Sequence, residues 1–388
     1  DRQESNPAFQ KYPAVIVYCE VEADVRNALA FARRNNIWVA ARSGGHSTAG
    51  YSVNNGGMVI DTSRIKYVHV DKAAMTAVVG AGTNFGFLNA KLDEYQLHIP
   101  GGACEDVCVA GFMQGGGFGY TSRMFGMNCD TVLSFRMMLR DGGIVEASAT
   151  VNQDLFWAVR GGTGGNFGIL LEITYQVHSL ASLWGFTLVW DISAGPEVML
   201  ELQNNYTKTG ASPRLGYMGN IATHADKPIY ALQGMYVGDR SSGLAELQGL
   251  RDIGNPSLEV DITLPYGQLD TYLDGHPFDL PTLPPGEVKE VKQAGYIAGG
   301  LSAEDYARIV DFYVSEKPPL FSDIGVIEGY GGAINARPKF YNAFIHRDVS
   351  MDFFVDAFWV DPDHEADAVA WLETGSISPS RVADSGAS

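Results

Sequence analysis

The feature that most constrains this chain is a strand–helix–strand alternation that ends in a glycine turn. Residues 13–18 and 37–41 contain short apolar runs that predict buried strands. Between them, residues 22–35 carry apolar side chains at helical spacing and contain no Gly or Pro. This order predicts a βαβ unit with parallel strands, whose second strand delivers the next loop to the carboxyl edge of a sheet.

The loop at that edge is Arg42-Ser43-Gly44-Gly45-His46-Ser47. Two adjacent glycines leave a row of backbone N–H groups uncovered by side chains, and such a concave set of amides binds phosphate without a helix. His46 at the tip would then lie against whatever the loop holds. The alternative is a surface loop with an incidental histidine, because a Gly-Gly-His motif taken alone is a weak signal.

Glycine also clusters repeatedly between residues 97 and 168. None of the clusters has the strand-then-helix context of a GxGxxG dinucleotide motif, and no GxxxxGK[ST] loop occurs. They are either separate turns or several loops that converge on one long, phosphate-bearing ligand. The clusters are Gly101-Gly102, Gly115-Gly116-Gly117, Gly119, Gly142-Gly143, Gly161-Gly162 and Gly164-Gly165.

The length and charge of the chain bear on its number of domains and on the kinds of molecule that it can bind. The chain has 388 residues, which predicts about two domains. Its formal net charge of −18 disfavours nucleic acid and anionic membrane surfaces, because a polyanion would be repelled. No apolar run reaches the roughly 18 residues that a membrane span requires. We therefore expect a small-molecule partner.

The cysteines and the acidic clusters predict no metal site. The cysteine spacings fit no zinc finger or ribbon, and the chain is too long and too poor in cysteine for a disulfide scaffold. The acidic residues between Asp361 and Asp367 fit a helix start better than a metal site. The cysteines are Cys19, Cys104, Cys108 and Cys129.

Composition changes after about residue 182, which indicates a second domain. Residues 184–190, 230–236 and 324–327 predict strands. A helix is predicted at 302–314, and Asp361-Pro362 predicts the start of another helix that runs through Leu372. A proline-rich loop occupies 277–286.

Four motifs in order resemble one family. They are Arg42-Ser-Gly-Gly-His46-Ser, Pro100-Gly-Gly-Ala-Cys104, Gly115-Gly-Gly-Phe-Gly119 and the stretch from Asp154 to Gly168. Together they resemble the FAD-linked oxidases of the vanillyl-alcohol oxidase superfamily, in the berberine-bridge-enzyme-like branch. The resemblance is specific over residues 13–178 and looser from Tyr266 to Glu373.

The resemblance implies an α+β fold with two domains. One is a PCMH-type FAD-binding domain and the other a substrate domain with an antiparallel β-sheet flanked by helices. On this basis we assign residues 1–182 to the FAD-binding domain and 183–345 to the substrate-binding domain. Residues 346–388 would be a return segment towards the FAD-binding domain, incomplete at its C-terminus.

The resemblance also implies bicovalent FAD. His46 matches the histidine bonded to the flavin 8α-methyl carbon, and Cys104 matches the cysteine bonded to flavin C6. The alternative for Cys104 is a buried small hydrophobe, the usual fate of a free cysteine. Further cofactor-binding positions implied by the family pattern are Arg42, Ser43, Gly44, Gly45, Ser47, Gly101, Gly102, Val107, Gly111, Gly115, Gly116, Gly117, Gly119, Gly168 and Ile169.

The implied reaction is oxidation of a substrate CH–OH group by hydride transfer to the flavin, with O2 reduced to H2O2. Val107 matches the position that governs oxygen access, and a small valine resembles the oxidases. A sugar or oligosaccharide is the first expectation for the substrate. Secretion is expected from the family, the acidic composition and the sequon at Asn205. We also expect a monomer.

Three departures from the family pattern bear on the chemistry. The usual Tyr-x-Asn segment, whose tyrosine is the base, would follow Ser385–Ser388, where this sequence ends. Thr48 and Phe118 stand where sugar-oxidising relatives often have tyrosine. These departures keep open an oxidase of an aromatic or alkaloid-like metabolite, or a degenerate non-catalytic flavoprotein. Weak candidates for a substitute base are Glu328, His346 and Asp356, and for each of them a structural or surface role is the favoured interpretation.

Overall fold

A computed structural model describes residues 6–274, 287–320 and 322–375. The predicted proline-rich loop at 277–286 and the stretch 385–388 lie outside the described residues. The described chain divides into two compact units. The first unit takes residues from 6–181, 265–271 and 339–345, and the second takes residues from 182–264, 272–338 and 346–375.

The strands, in chain order, are β1 (Val15–Tyr18), β2 (Val39–Arg42), β3 (Met58–Asp61), β4 (Val68–Asp71), β5 (Thr76–Gly80), β6 (Leu97–His98), β7 (Val132–Met138), β8 (Ile144–Ser148), β9 (Ile169–Gln176), β10 (His178–Ser179), β11 (Leu183–Asp191), β12 (Leu215–His224), β13 (Lys227–Tyr236), β14 (Ser257–Leu264), β15 (Lys289–Ile297), β16 (Asp323–Gly329) and β17 (Met351–Trp359).

The α-helices are α1 (Glu22–Arg34), α2 (Phe85–Asp93), α3 (Val109–Gln114), α4 (Ser122–Phe125), α5 (Gln153–Val159), α6 (Gly195–Glu201), α7 (Arg240–Glu246), α8 (Gln248–Arg251), α9 (Tyr266–Asp274), α10 (Ala303–Ser315), α11 (Gly332–Asn335) and α12 (Glu365–Gly375). Single 3-10 turns occupy Pro7–Phe9, Asn128–Asp130, Ile192–Ala194 and Pro362–His364, and a π-helical turn occupies Leu202–Tyr206. Among the described residues, no helix has the length and hydropathy needed to cross a membrane.

The first unit contains a parallel sheet of three strands in the order β1-β3-β2. The predicted strand–helix–strand unit is therefore present, but β3 lies between its two strands and pairs with both. A second sheet is antiparallel, with the order β4-β5-β9-β7-β8, and a two-stranded ribbon pairs β6 with β10. The carboxyl end of β2 is Arg42, so the Gly-Gly-His loop leaves the sheet at its carboxyl edge, as predicted.

Helix α1 supplies the apolar centre of this unit. Its spacing buries Val25, Ala28, Leu29 and Ala32 on one face. That face belongs to the same hydrophobic cluster as residues of β3 in the parallel sheet and of β7 and β9 in the antiparallel sheet. Acidic residues occupy its first turn and Arg33 and Arg34 its last, which suits the helix dipole.

The second unit contains one antiparallel sheet of seven strands, in the order β14-β11-β13-β12-β16-β17-β15. Helix α10 begins with a capping box between Ser302 and Asp305, and α12 packs against β17 and β15. Asp361 caps the turn that leads into α12, as the sequence predicts. The α+β class with an antiparallel sheet in the second unit is thus confirmed.

The segment 346–388 differs from its predicted role as a return towards the first domain. Within its described part, β17 pairs along its whole length with β15 and also pairs with β16. A strand held between two partners by main-chain hydrogen bonds belongs to that sheet. The return to the first unit is made instead by residues 265–271 and 339–345.

A buried aromatic cluster in the first unit contains two histidines. His98 and His178 are cross-strand neighbours in the β6–β10 ribbon. The His98 ring lies 4.0 Å from the ring of Tyr266, and its Nε2 lies 2.7 Å from the Thr121 hydroxyl. The His178 ring stacks on Phe125 at 4.4 Å. Burial lowers the pKa of His98 well below its ordinary value of 6.5, and that of His178 also falls.

We expect these histidines to make the fold sensitive to acid. The folded state holds them neutral, so below about pH 6.5 the unfolded chain binds more protons and stability falls as the pH falls. The free energy of unfolding should drop by at most about 1.4 kcal/mol per pH unit for each such histidine, with the larger part from His98, whose pKa is lowered further. Denaturant titrations between about pH 7 and pH 5 measure this slope.

The variant His98→Gln, which can keep the bond to Thr121, should flatten the slope. The exposed His69 supplies the matched control, since His69→Gln should leave the slope as in the parent protein. An unchanged slope in His98→Gln would show that other groups cause the acid sensitivity.

Candidate functional site

The Gly-Gly-His loop packs against a second loop, residues 104–108. A side chain at Gly44 would lie 3.0 Å from the Cys108 sulfur and 3.3 Å from the Asp106 carbonyl oxygen. Gly45 has a φ of +74°, in the left-handed region that favours glycine. Both glycines are therefore needed for the loop to turn and for the two loops to approach each other.

Arg42 fixes the start of this loop. Its Nε lies 2.5 Å from Asp61 Oδ2, and both side chains are almost fully buried. The two residues are register partners at the ends of β2 and β3. Asp61 also accepts a hydrogen bond from the Ser63 backbone N–H. Arg42, predicted as a neighbour of the cofactor, thus has a clear structural role at the sheet edge.

His46 is half-buried and has an acidic neighbour that the sequence did not reveal. Burial lowers the pKa of His46 below 6.5, while the negative charge of Asp106 partly opposes that shift. Burial has the larger effect, so the imidazole is neutral at pH 7 and carries a nitrogen lone pair. A neutral imidazole is the form of histidine that acts as a nucleophile.

Cys104 differs from the other three cysteines. Cys19, Cys108 and Cys129 are buried, and Cys104 is exposed. Burial raises the pKa of both Cys19 and Cys108 to about 12, so these thiols are inert, and the Cys108 thiol donates a hydrogen bond to the Gly82 carbonyl oxygen. The alternative interpretation of Cys104 as a small hydrophobe of the core does not fit its exposure.

Packing within the protein accounts for several of the predicted cofactor glycines. A side chain at Gly119 would overlap the carbonyl oxygen of Gly101, and one at Gly101 would meet the ring of Phe85. Gly102 and Gly117 lie in the same way against Phe112. Side chains at Gly116 and Gly168 would collide with Phe344 and with the Met138 carbonyl.

Other glycines face open space. A side chain at Gly111 would meet nothing within 4 Å, and at Gly115 the nearest atom lies 3.6 Å away. Both belong to α3 or its cap. The loop 104–108 leads into the start of α3, and the Thr163 N–H donates to the Gln114 carbonyl at its end. We call the exposed positions along this line the open edge: Gly44, residues 104–106, Gly111, Gly115 and residues 163–165.

The remaining predicted positions are less exposed. Val107 is half-buried, and its carbonyl accepts the Phe85 N–H. Ser47 Oγ accepts the Tyr51 N–H, and Ser43 is half-buried. Ile169 begins β9 opposite Met138 and is buried. The structure gives these residues roles in shaping the loops.

The second unit carries a polar cluster on one face of its sheet. Glu328 on β16 is the register partner of Asp352 on β17, and their carboxyl groups are hydrogen-bonded to each other. Burial raises the pKa of Glu328, and burial together with the Glu328 charge raises the pKa of Asp352 well above its ordinary value. The shared hydrogen bond has opposite effects on the two pKa values, lowering that of Glu328 and raising that of Asp352. These opposite effects make the Asp352 carboxyl group the donor and the Glu328 carboxylate the acceptor.

A bulge brings these two carboxyl groups together. Ile327 has a φ of +74°, and the register between β16 and β17 shifts between Val326 and Glu328. One extra residue in a strand turns the following side chains to the other face. Asp352 is not among the predicted site residues, because no sequence pattern predicts the bulge that brings it next to Glu328.

The other two candidate bases have different surroundings. His346 stacks on Tyr296 with the ring centres 3.9 Å apart. Asp356 lies 2.8 Å from Lys292 Nζ and is buried. All three candidates thus belong to the second unit, and Glu328 is the one that shares a proton with a second carboxyl group. Among the described residues, no group of three or more His, Cys, Asp and Glu side chains could hold a metal ion.

Comparisons with known proteins bear on what these sites bind. Residues 13–148 match the family model described as FAD binding domain. The FAD-linked oxidoreductase YvdP of Bacillus subtilis is 30% identical over 374 residues, covering 95% of this chain and 81% of the relative. The carbohydrate oxidase of Microdochium nivale is 29% identical over 350 residues, covering 87% and 70%. The solved structure of BBE-like 1 from Physcomitrella patens matches with a TM-score of 0.85 and 26% identity, covering 96% of this chain and 82% of that one.

Two glycine variants separate a cofactor role from a packing role. Gly111→Ala adds a methyl group in open space on a helix, so the melting temperature should stay unchanged or rise slightly. If Gly111 lies against FAD, the same methyl group should reduce the fraction of protein that retains flavin. Absorbance of the purified protein and thermal unfolding measure the two effects.

Gly119→Ala is the matched variant, because its methyl group would overlap the Gly101 carbonyl and should destabilise the fold. If Gly111→Ala keeps full flavin content, Gly111 does not line the cofactor.

Proposed function

This chain belongs to the berberine-bridge-enzyme-like FAD-linked oxidoreductases, and we propose that it oxidises a CH–OH group of a sugar or oligosaccharide with FAD bound covalently through His46 and Cys104. The observation that carries the proposal is the open edge of the first unit. There a half-buried imidazole and an exposed thiol belong to two loops that touch at Gly44.

The open edge fits a long, phosphate-bearing cofactor. Its glycines leave backbone amides uncovered, and rows of such amides bind the oxygens of a diphosphate. Gly111 and Gly115 keep space along α3 that a side chain would fill. The residues present therefore suit FAD along this edge.

The two tethering residues are suited to form covalent bonds. His46 is neutral at pH 7 because its burial lowers its pKa. Cys104 is exposed and can therefore be reached by the flavin ring, whereas Cys108 is buried and its pKa is raised. We propose a bond from His46 to the 8α-methyl carbon and from Cys104 to C6. Each bond would replace a C–H bond of the flavin, and O2 would take up the two electrons released. Two bonds would orient the ring against a substrate even in an open site.

When bound along the open edge, FAD would supply the hydride-accepting and O2-reducing chemistry that gives H2O2. The chain contributes access for the oxygen through Val107, whose short side chain lies next to the Cys104 loop. It also has to remove the proton of the substrate hydroxyl group.

We propose Glu328 as the acceptor of that proton, with Asp352 as its partner. In the resting pair the Glu328 carboxylate accepts a hydrogen bond from the Asp352 carboxyl group. A general base works best when its pKa lies near the working pH, and burial raises the pKa of Glu328 towards that range. Asp356 forms an ion pair with Lys292, and the His346 ring is stacked on Tyr296. We therefore propose neither of them as the proton acceptor.

One relative supports a sugar as the substrate, and two residues of this sequence favour a different substrate class. The carbohydrate oxidase of Microdochium nivale supports a sugar. Phe118 and Thr48, which replace tyrosines of sugar-oxidising relatives, favour the second candidate, an aromatic or alkaloid-like alcohol. Apolar contacts select aromatic substrates, whereas phenol hydroxyl groups hydrogen-bond sugars.

A donor screen with peroxide detection tests the proposal. We expect reducing oligosaccharides to bleach the flavin without oxygen and to yield one H2O2 for each oxidised substrate when oxygen is present. Reduction by aromatic alcohols alone would select the second candidate. If no donor reduces the bound flavin, the chain is a flavoprotein without turnover.

A further inference from the structure

The carboxyl pair lies beside a second charged pair on the same face of the sheet. Asp352, Phe354 and Asp356 alternate along β17, so their side chains project from one face. Lys292 on β15 is the register partner of Asp356. The strand geometry therefore lines up two carboxyl groups of β17 with one lysine of the neighbouring strand.

Two contacts hold the Lys292 ammonium group in place. It lies 2.8 Å from Asp356 Oδ2 and 3.8 Å from the centre of the Phe354 ring. Phe354 stands between Asp352 and Asp356 on β17, so the cation over its ring lies on the same face as the Glu328–Asp352 pair, and its charge acts on both of those carboxyl groups. The ring contact is a cation–π interaction, which helps a partly desolvated ammonium group to remain charged.

Only 8% of the Asp356 side chain is exposed to solvent, whereas one-third of the Lys292 side chain is exposed. The second Asp356 oxygen, Oδ1, has no hydrogen-bond partner among the described residues. A buried carboxylate with one oxygen that accepts no hydrogen bond lowers the stability of the fold. That cost favours a role for the pair other than stabilising the sheet.

We propose that Lys292 is a positioning residue whose ammonium group, held by Asp356 and the Phe354 ring, keeps the Glu328–Asp352 pair in its singly protonated, proton-accepting form. This inference rests on the proposed function, since it assigns what prepares the base of that reaction. Lys292 itself touches neither the substrate nor the cofactor in this role.

The charges act in opposite directions on the pair. The cation of Lys292 lowers the pKa of both Glu328 and Asp352, and the Asp356 charge raises the pKa of Glu328. Other titratable groups face the same region, and the variants proposed below leave these residues unchanged. They are Glu290 and Tyr296 on β15, Asp323 on β16, and Tyr330 and His346 on the adjoining loops.

The test is the pH dependence of flavin reduction by substrate in the absence of oxygen. Lys292→Met should move the acid limb of the profile up by about one pH unit, because the pair then holds its protons more tightly. Asp356→Asn should move the same limb down. Lys292→Arg keeps the charge and should keep the parent profile.

Lys289→Met is the matched control. Lys289 lies on the same strand but projects from the opposite face, and its Nζ donates to the Val360 carbonyl. Removing this positive charge should leave the acid limb where it is. Thermal unfolding of each variant shows whether it is folded. Equal shifts in one direction for Lys292→Met and Asp356→Asn, or no shift in either, would overturn the inference.

Failure of the proposed function has a different signature. In that case the parent protein would show no reduction by any donor. The inference is then tested on the carboxyl groups directly, by NMR titration of carbon-13-labelled aspartate and glutamate side chains. Lys292→Met must still raise the titration midpoint of the Glu328–Asp352 pair, and an unchanged midpoint would refute it.

Discussion

The ion pair between Arg42 and Asp61 is the interaction on which the site in the first unit depends. It joins the ends of two parallel strands at the point where the Gly-Gly-His loop begins. Both side chains are buried, so removing either would leave an uncompensated charge, at a cost of about 3–5 kcal/mol. The loop that carries His46 leaves the sheet from this fixed point and meets the loop that carries Cys104. The ion pair thus fixes the start of the loop that meets residues 104–108.

The sequence allowed much of the first unit to be predicted, because its signals are local. The apolar spacing of α1 and the short β-rich runs of β1 and β2 depend on residues close in the chain. The insertion of β3 between those strands was not predicted, since strand pairing is decided by distant residues. The glycine clusters are visible in the sequence. Whether a given glycine faces open space or makes room for a neighbouring side chain depends on distant residues such as Phe112 and Phe344.

Glu328, the proton acceptor that we propose, illustrates the same limit more sharply. Glu328 is one of three candidates in the sequence, and no sequence pattern favours it over the other two. Its partner Asp352 becomes its neighbour because a bulge at Ile327 shifts the register of two strands. A bulge depends on the pairing of the whole sheet, so the carboxyl pair becomes visible only in the folded chain. Asp106 beside His46 was missed for a similar reason, since it lies on a different loop.

The central claim is that the two loops at the open edge hold FAD by two covalent bonds. Acid precipitation followed by mass analysis of the peptides containing His46 and Cys104 tests it most directly. We expect a yellow pellet in which both peptides are joined to the same flavin. Flavin on His46 alone would contradict the role of the exposed thiol, and unmodified peptides from protein expressed with ample flavin would contradict the claim as a whole.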